Sequence, residues 1–156
     1  MPLKNVLNAF ANKYPRIGYF SGVNAVAANL LRYLDEEETF KTLCITFERI
    51  LPPNYYADII NKRITSNLFD QSLKKIAPEL YNKYENSGLD SIAFTTLWFI
   101  ALYNYNFPLD VSDHILDLLF LCGPKILFRA ALAILLLNKV ELLTLDNNDL
   151  IMVSLL

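Results

Sequence analysis

One histidine and two cysteines in 156 residues leave almost nothing from which to build a transition-metal site. Cys44 and Cys122 follow no CxxC or Cys/His spacing and sit in apolar, helical-looking segments, which marks both as buried free thiols in a reducing, intracellular setting. Glycine occurs only at 18, 22, 88 and 123, so neither a Walker phosphate loop nor a GxGxxG dinucleotide turn can be written. No cofactor is implied. His114 has Asp117 nearly one helical turn on, but the Ser21 context Gly18-Tyr19-Phe20-Ser21-Gly22 is not a GxSxG elbow, and a structural histidine is the plainer reading. These absences predict a chain that is not a self-contained enzyme.

Charge is also scarce. Charged residues make up 19% of positions, below the roughly 25% of an average domain. Fourteen basic and sixteen acidic residues leave a net charge of −2, which excludes a nucleic-acid footprint. Lys4, Lys13, Arg16 and Arg32 stand in residues 1–34 without an acid, a segregation better read as chance in a small sample than as a surface for an acidic or phosphorylated partner. Lys4, Asn5 and Asn8 break the opening apolar run, so no secretory signal is read there. The oiliest stretch, Ile115 to Leu137, is interrupted by Asp117, Lys125 and Arg129 and broken at Gly123-Pro124, predicting two buried helices and no transmembrane segment.

What the sequence does have is apolar residues, at 54%, recurring at helical spacing along most of the chain. The fold class is therefore all-α, in one domain over 1–156. Leu3, Val6, Leu7, Phe10 and Tyr14 form the stripe of a first helix that ends at 15–18. Ser21 is placed to cap a second helix running to Leu34. A third spans Phe40 to Leu51, entered through the acidic run Asp35–Glu38 and stopped by Pro52-Pro53. Further helices are expected over 54–65 and 67–86, with Gly88 as a stop, and over 89–105. Others should run from Ser112 or Asp113 to Leu121, from Pro124 toward Leu143, and over 147–156. The aromatic groups Tyr55-Tyr56, Trp98-Phe99 and Tyr103, Tyr105 and Phe107 are assigned to the core before an interface.

Gly18-Tyr19-Phe20-Ser21-Gly22-Val23-Asn24 resembles the GYCQGMN signature of the TBC domain, the Rab GTPase-activating family, with Gly18, Tyr19, Gly22 and Asn24 matching. Similarity continues in order through Leu34–Phe40, Leu51–Tyr56, Gly88–Asp90, Trp98-Phe99 and Pro108-Leu109. It ends in His114–Phe120, similar to RIWDLLF, and Gly123–Ala133, similar to GPKVLFRVALA. The resemblance covers nearly the whole chain and corresponds to the C-terminal four-fifths of the family domain, the N-terminal helices of the family fold being absent.

The resemblance implies an irregular multi-helix domain that binds a Rab-type small GTPase through Tyr19, Phe20, Ser21, Gly22 and Asn24. It further implies activation of GTP hydrolysis by an arginine and a glutamine supplied in trans. A cation offsets charge developing on the transferred phosphoryl group, and an amide orients the attacking water. Ser21 stands at the glutamine position, and its hydroxyl is too short to offer an amide's donor and acceptor pair. No IxxDxxR, the family's arginine motif, occurs in the chain, and Arg16 is a poor substitute by position. These departures predict weak or lost activation, in a cytoplasmic protein peripheral to membranes through its Rab. They also predict an apolar surface at the Leu3, Val6, Leu7 and Phe10 stripe that another chain would cover. The competing expectation is a scaffold subunit with no GTPase partner.

Overall fold

The computed structural model describes residues 1–15, 21–56, 65–88, 92–105, 107–147 and 149, with backbone alone at 65–67 and 92–95. Helices α1 (Pro2–Lys13), α2 (Val23–Leu30) and α3 (Glu36–Ile45) are followed by a one-turn π-helix, Thr46–Ile50. Then come α4 (Thr65–Ile76), α5 (Pro78–Asn86), α6 (Ile92–Ile100), α7 (Leu109–Cys122), α8 (Lys125–Leu137) and α9 (Lys139–Thr144). Among the described residues there is no strand, and no helix is long and apolar enough to cross a membrane. The all-α reading holds.

Local chemistry explains most of the boundaries. Asp35 accepts from the Glu38 amide at 2.8 Å while the Glu38 carboxylate reaches back to the Asp35 amide, a capping box that starts α3. The acidic run is thus a helix start, as its sequence suggested. Pro52 and Pro53 follow the π-turn, whose last amide bond runs from Leu51 to the Thr46 carbonyl at 2.9 Å.

Several boundaries differ from the sequence reading, among them the helix expected over 89–105, whose described part α6 ends at Ile100 and gives way to turns through Tyr103. Pro78 splits the expected 67–86 helix into α4 and α5, because proline has no N–H to continue the ladder and forces Ala77 out of helical geometry. Ser21 makes no side-chain cap; Gly22 is the N-cap of α2, which ends at Leu30 and passes into turns through Tyr33. Helix α7 begins one turn earlier than expected, behind Pro108, since the Ser112 hydroxyl is turned inward to the Tyr103 carbonyl at 2.7 Å. Asn138 interrupts the long last helix between α8 and α9, its side chain bonding back to the Ile134 carbonyl. Residues 57–64 and 151–156, where parts of two further helices were expected, lie outside the described residues.

One core joins the two ends of the chain. Helix α1 packs on α2 and α3, α7 packs on α8 and on the π-turn, and α9 ties α5 to α8. Phe10, Phe69, Phe99 and Tyr103 are its largest fully buried side chains. Most of the aromatic groups join the core, as expected, with Phe47 stacking on Tyr56 at 4.6 Å and Trp98 and Tyr103 both meeting Phe107, whereas Tyr105 is half-buried outside it. Phe10 packs edge-on against Phe47 at 4.7 Å, so Phe10 and Val6 are interior, and only Leu3 and Leu7 of the expected exposed stripe reach the surface. The cysteine expectation is half right. Cys44 is buried, but Cys122 is exposed at the end of α7, where Gly123 turns the chain away.

Candidate functional site

The candidate site is built at the head of α2. Gly22 is buried with φ of +117°, and a Cβ there would lie 2.7 Å from the Ile100 carbonyl oxygen and 2.6 Å from its Cγ2. Only glycine fits both the backbone angle and the contact with the end of α6. Its N–H donates to Asn24 Oδ1 at 3.1 Å, and the same oxygen accepts from the Tyr105 hydroxyl at 2.9 Å. Ser21 is exposed immediately before this anchored residue. Of the five residues expected at the GTPase face, the structure therefore exposes Ser21, half-buries Asn24, and buries Gly22. Tyr19 and Phe20, with Arg16, lie outside the described residues.

The chain entering the site is tethered as well. Tyr14, the residue after α1, donates its hydroxyl to Glu48 Oε1 at 2.5 Å, and Lys13 Nζ lies 2.9 Å from that oxygen. Glu48 is carried on the π-turn, so α1 and the turn are joined five residues before Pro53. The Tyr14 hydroxyl bond, and then Lys13, hold the Glu48 carboxyl below the usual carboxylate range. Burial and the carboxylate push the Tyr14 hydroxyl up in turn.

Farther along α2 is a polar hub that sequence reasoning missed. Asn29, 5% exposed, donates through Nδ2 to Asn104 Oδ1 and to Asp113 Oδ1, each at 2.8 Å, and its own Oδ1 accepts from Arg32 at 2.7 Å. Arg32 reaches both Asp113 oxygens at 3.1 Å, and the Tyr33 hydroxyl donates to Oδ2 at 2.6 Å. The Tyr33 bond first, with Asn29 and Arg32 in support, holds the Asp113 carboxyl below its ordinary value. Partners lying 75 and 84 residues from Asn29 leave no local signal in a single sequence. Since a buried amide left without partners costs about 1–3 kcal/mol, Asn29→Ala, which strips two acceptors and a donor of their partner, should lower stability by that amount. Urea denaturation with an unchanged slope and a lower midpoint checks it.

His114 and Asp117 are both exposed, and Asp117 lines a notch of about 240 Å³ with Tyr33, Leu116 and Phe120. Among the described residues no group of histidine, cysteine, aspartate or glutamate is arranged to hold a metal ion. Among its described residues the site exposes the Ser21 hydroxyl directly before the anchored Gly22.

Comparison with known proteins identifies the family. The model of the Rab-GTPase-TBC domain matches residues 2–143. A TBC domain-containing protein of Schizosaccharomyces pombe is 34% identical over 149 residues, covering 94% of this chain and 19% of that protein. GTPase-activating protein gyp2 of the same yeast is 32% identical over 154 residues, covering 96% of this chain and 21% of that protein. A crystal structure of the Chlamydomonas flagellar RabGAP TBC domain superposes with a TM-score of 0.87 at 29% identity, covering 98% of this chain and 52% of that one. The chain thus spans about a fifth of the length of these curated relatives.

These names overturn the expectation that the chain is a GTPase regulator or pseudo-activator rather than an enzyme. One relative is named as a GTPase-activating protein, and the neighbouring solved structure is a RabGAP domain of the same fold. Such an activator lends groups to a reaction centred on its partner, so lacking a Walker loop or a triad does not count against activity.

Proposed function

Because the chain belongs to the Rab-GTPase-TBC domain family, we propose that it engages a Rab-type small GTPase in the GTP-loaded state and acts in stimulating GTP hydrolysis. The observation that carries the reading is the head of α2, where Ser21 is exposed while Gly22 and Asn24 are locked behind it. Tyr19, Phe20 and Ser21 contact the GTPase, and the bond from the Gly22 amide to Asn24 anchors the backbone directly after Ser21. The protein works in the cytoplasm on membrane-associated Rabs, in vesicle traffic.

Ser21 sets the level of activity. The attacking water needs a group that accepts its proton-bearing side and donates to the phosphoryl oxygens, and a hydroxyl on a one-carbon stem reaches less far than an amide. Stimulation by these residues is therefore lower than a glutamine at the same place would give.

Binding of the purified chain to a panel of Rabs, each loaded with a non-hydrolysable GTP analogue or with GDP, tests the proposal. We expect at least about a tenfold preference for the GTP form of one or more Rabs, a difference of about 1.4 kcal/mol. Equal affinity for both forms, or none for either, would refute GTPase reading and favour a scaffold role.

A further inference from the structure

Between α6 and α7 the chain does something costly. Leu102 and Tyr103 stand consecutively in the left-handed region, at φ of +47° and +62°, where residues with a Cβ are strained. The core enforces this turn. Tyr103 is fully buried, its hydroxyl donates to the Leu127 carbonyl at 2.6 Å, and its own carbonyl accepts from Ser112 at 2.7 Å. The Asn104 amide group closes the turn by donating to the Ala101 and Leu102 carbonyls.

The consequence is that two successive side chains are delivered to two points of α2. Asn104 Oδ1 receives Asn29 near the helix end, and the Tyr105 hydroxyl reaches Asn24 Oδ1 in its first turn. At that oxygen Tyr105 shares the acceptor with the Gly22 amide, the residue directly after Ser21. Gly22 is also pressed on Ile100, the last residue of the helix that leads into the strained turn. One segment, 100–105, therefore meets the head of α2 at two points: backbone packing of Ile100 on Gly22 and a hydroxyl bond from Tyr105 to Asn24.

We propose that Tyr105 is a positioning residue for the GTPase-facing loop, fixing Asn24 so that its side chain holds the Gly22 amide and with it the place of Ser21. The inference rests on the preceding reading of that loop as the GTPase contact. Tyr105 does not touch the GTPase; it acts through Asn24. Losing its hydroxyl frees the Asn24 amide to rotate, loosens the Gly22 N–H bond and spreads Ser21 over several positions, while the strained turn, held by Tyr103 and Ser112, stays intact.

The test is Tyr105→Phe, with Tyr33→Phe as a second hydroxyl deletion in the turns beyond the far end of α2. Amide exchange at Gly22 is followed by NMR, together with the melting temperature and affinity for a GTP-analogue-loaded Rab that binds the unaltered chain. For Tyr105→Phe we expect Gly22 exchange to quicken about three- to tenfold, the range of one lost neutral hydrogen bond. Rab affinity should fall by a similar factor with melting within a few degrees, and Tyr33→Phe should leave Gly22 exchange unchanged. Unaltered Gly22 exchange in Tyr105→Phe overturns the proposal, as does faster exchange with full Rab affinity. Quicker exchange from both deletions equally would also overturn it, since that marks general loosening. If the unaltered chain binds no Rab, it is the GTPase reading that fails, and the Gly22 result still decides whether Tyr105 holds the loop.

Discussion

Replacing Gly22 with alanine should destabilise the fold by about 2–6 kcal/mol and remove GTPase binding at temperatures where the variant is still folded. Two costs combine. A φ of +117° is closed to residues with a Cβ, which accounts for about 1–3 kcal/mol. The added carbon would also sit under 3 Å from the Ile100 carbonyl carbon and oxygen, and backbone cannot swing aside as a side-chain tip can. Forced overpacking of this kind adds about 1–3 kcal/mol. Gly88→Ala separates the terms, because Gly88 has φ of +69° but open space around its would-be Cβ. That control should cost only about 1 kcal/mol. Calorimetric melting of both variants checks the pair: a Gly22→Ala loss no larger than the control's would show that the loop is not pressed on α6.

The contrast between those two glycines also marks how far the sequence could be read. Gly22 was visible as part of a signature, and its neighbour Ser21 as a departure from it. The reason glycine is required is a contact with Ile100, far along the chain, which no local pattern announces. Elements whose stability is local were legible. The acidic capping box of α3, the stripe of α1 and the Gly123-Pro124 break between α7 and α8 follow from helix caps, periodicity and proline geometry. Pro78 was equally local and was still overlooked, because a strong apolar period on both sides masked the missing amide.

Tertiary contacts decided the rest. Ser112 looked like a helix cap and instead bonds to Tyr103, because a core carbonyl freed by a strained turn needs a donor more than the helix needs a start. The left-handed pair Leu102-Tyr103 has neither glycine nor asparagine to advertise it. The Asn29, Arg32 and Asp113 hub joins residues that composition would send to the surface, and only their mutual bonds make burial of Asn29 tolerable. Both the hub and the Tyr105 bond brace α2, so the candidate site was legible as a motif and illegible as a mechanism.

The largest expected change in rate comes from restoring what the resemblance says the reaction needs. Single-turnover GTP hydrolysis should be followed for four proteins. These are the 156-residue chain, its Ser21→Gln variant, the chain extended upstream by a family IxxDxxR segment, and the extended chain with Ser21→Gln. If no residue of the 156-residue chain supplies a cation to the phosphoryl oxygens, Ser21→Gln by itself should raise stimulation less than about tenfold, since orienting the water then helps little. The arginine-bearing extension should add about 10³-fold or more, the scale on which such fingers act. The doubly altered protein should exceed the product of the two gains, because groups that act together in one transition state are not additive. A full response from Ser21→Gln alone would reveal an arginine already within the chain, and Arg16→Ala would then identify it. A full response from the extension with Ser21 in place would show that a serine on this braced loop orients the water unaided, making the rigidity of α2, rather than the length of the side chain, the decisive property of the site.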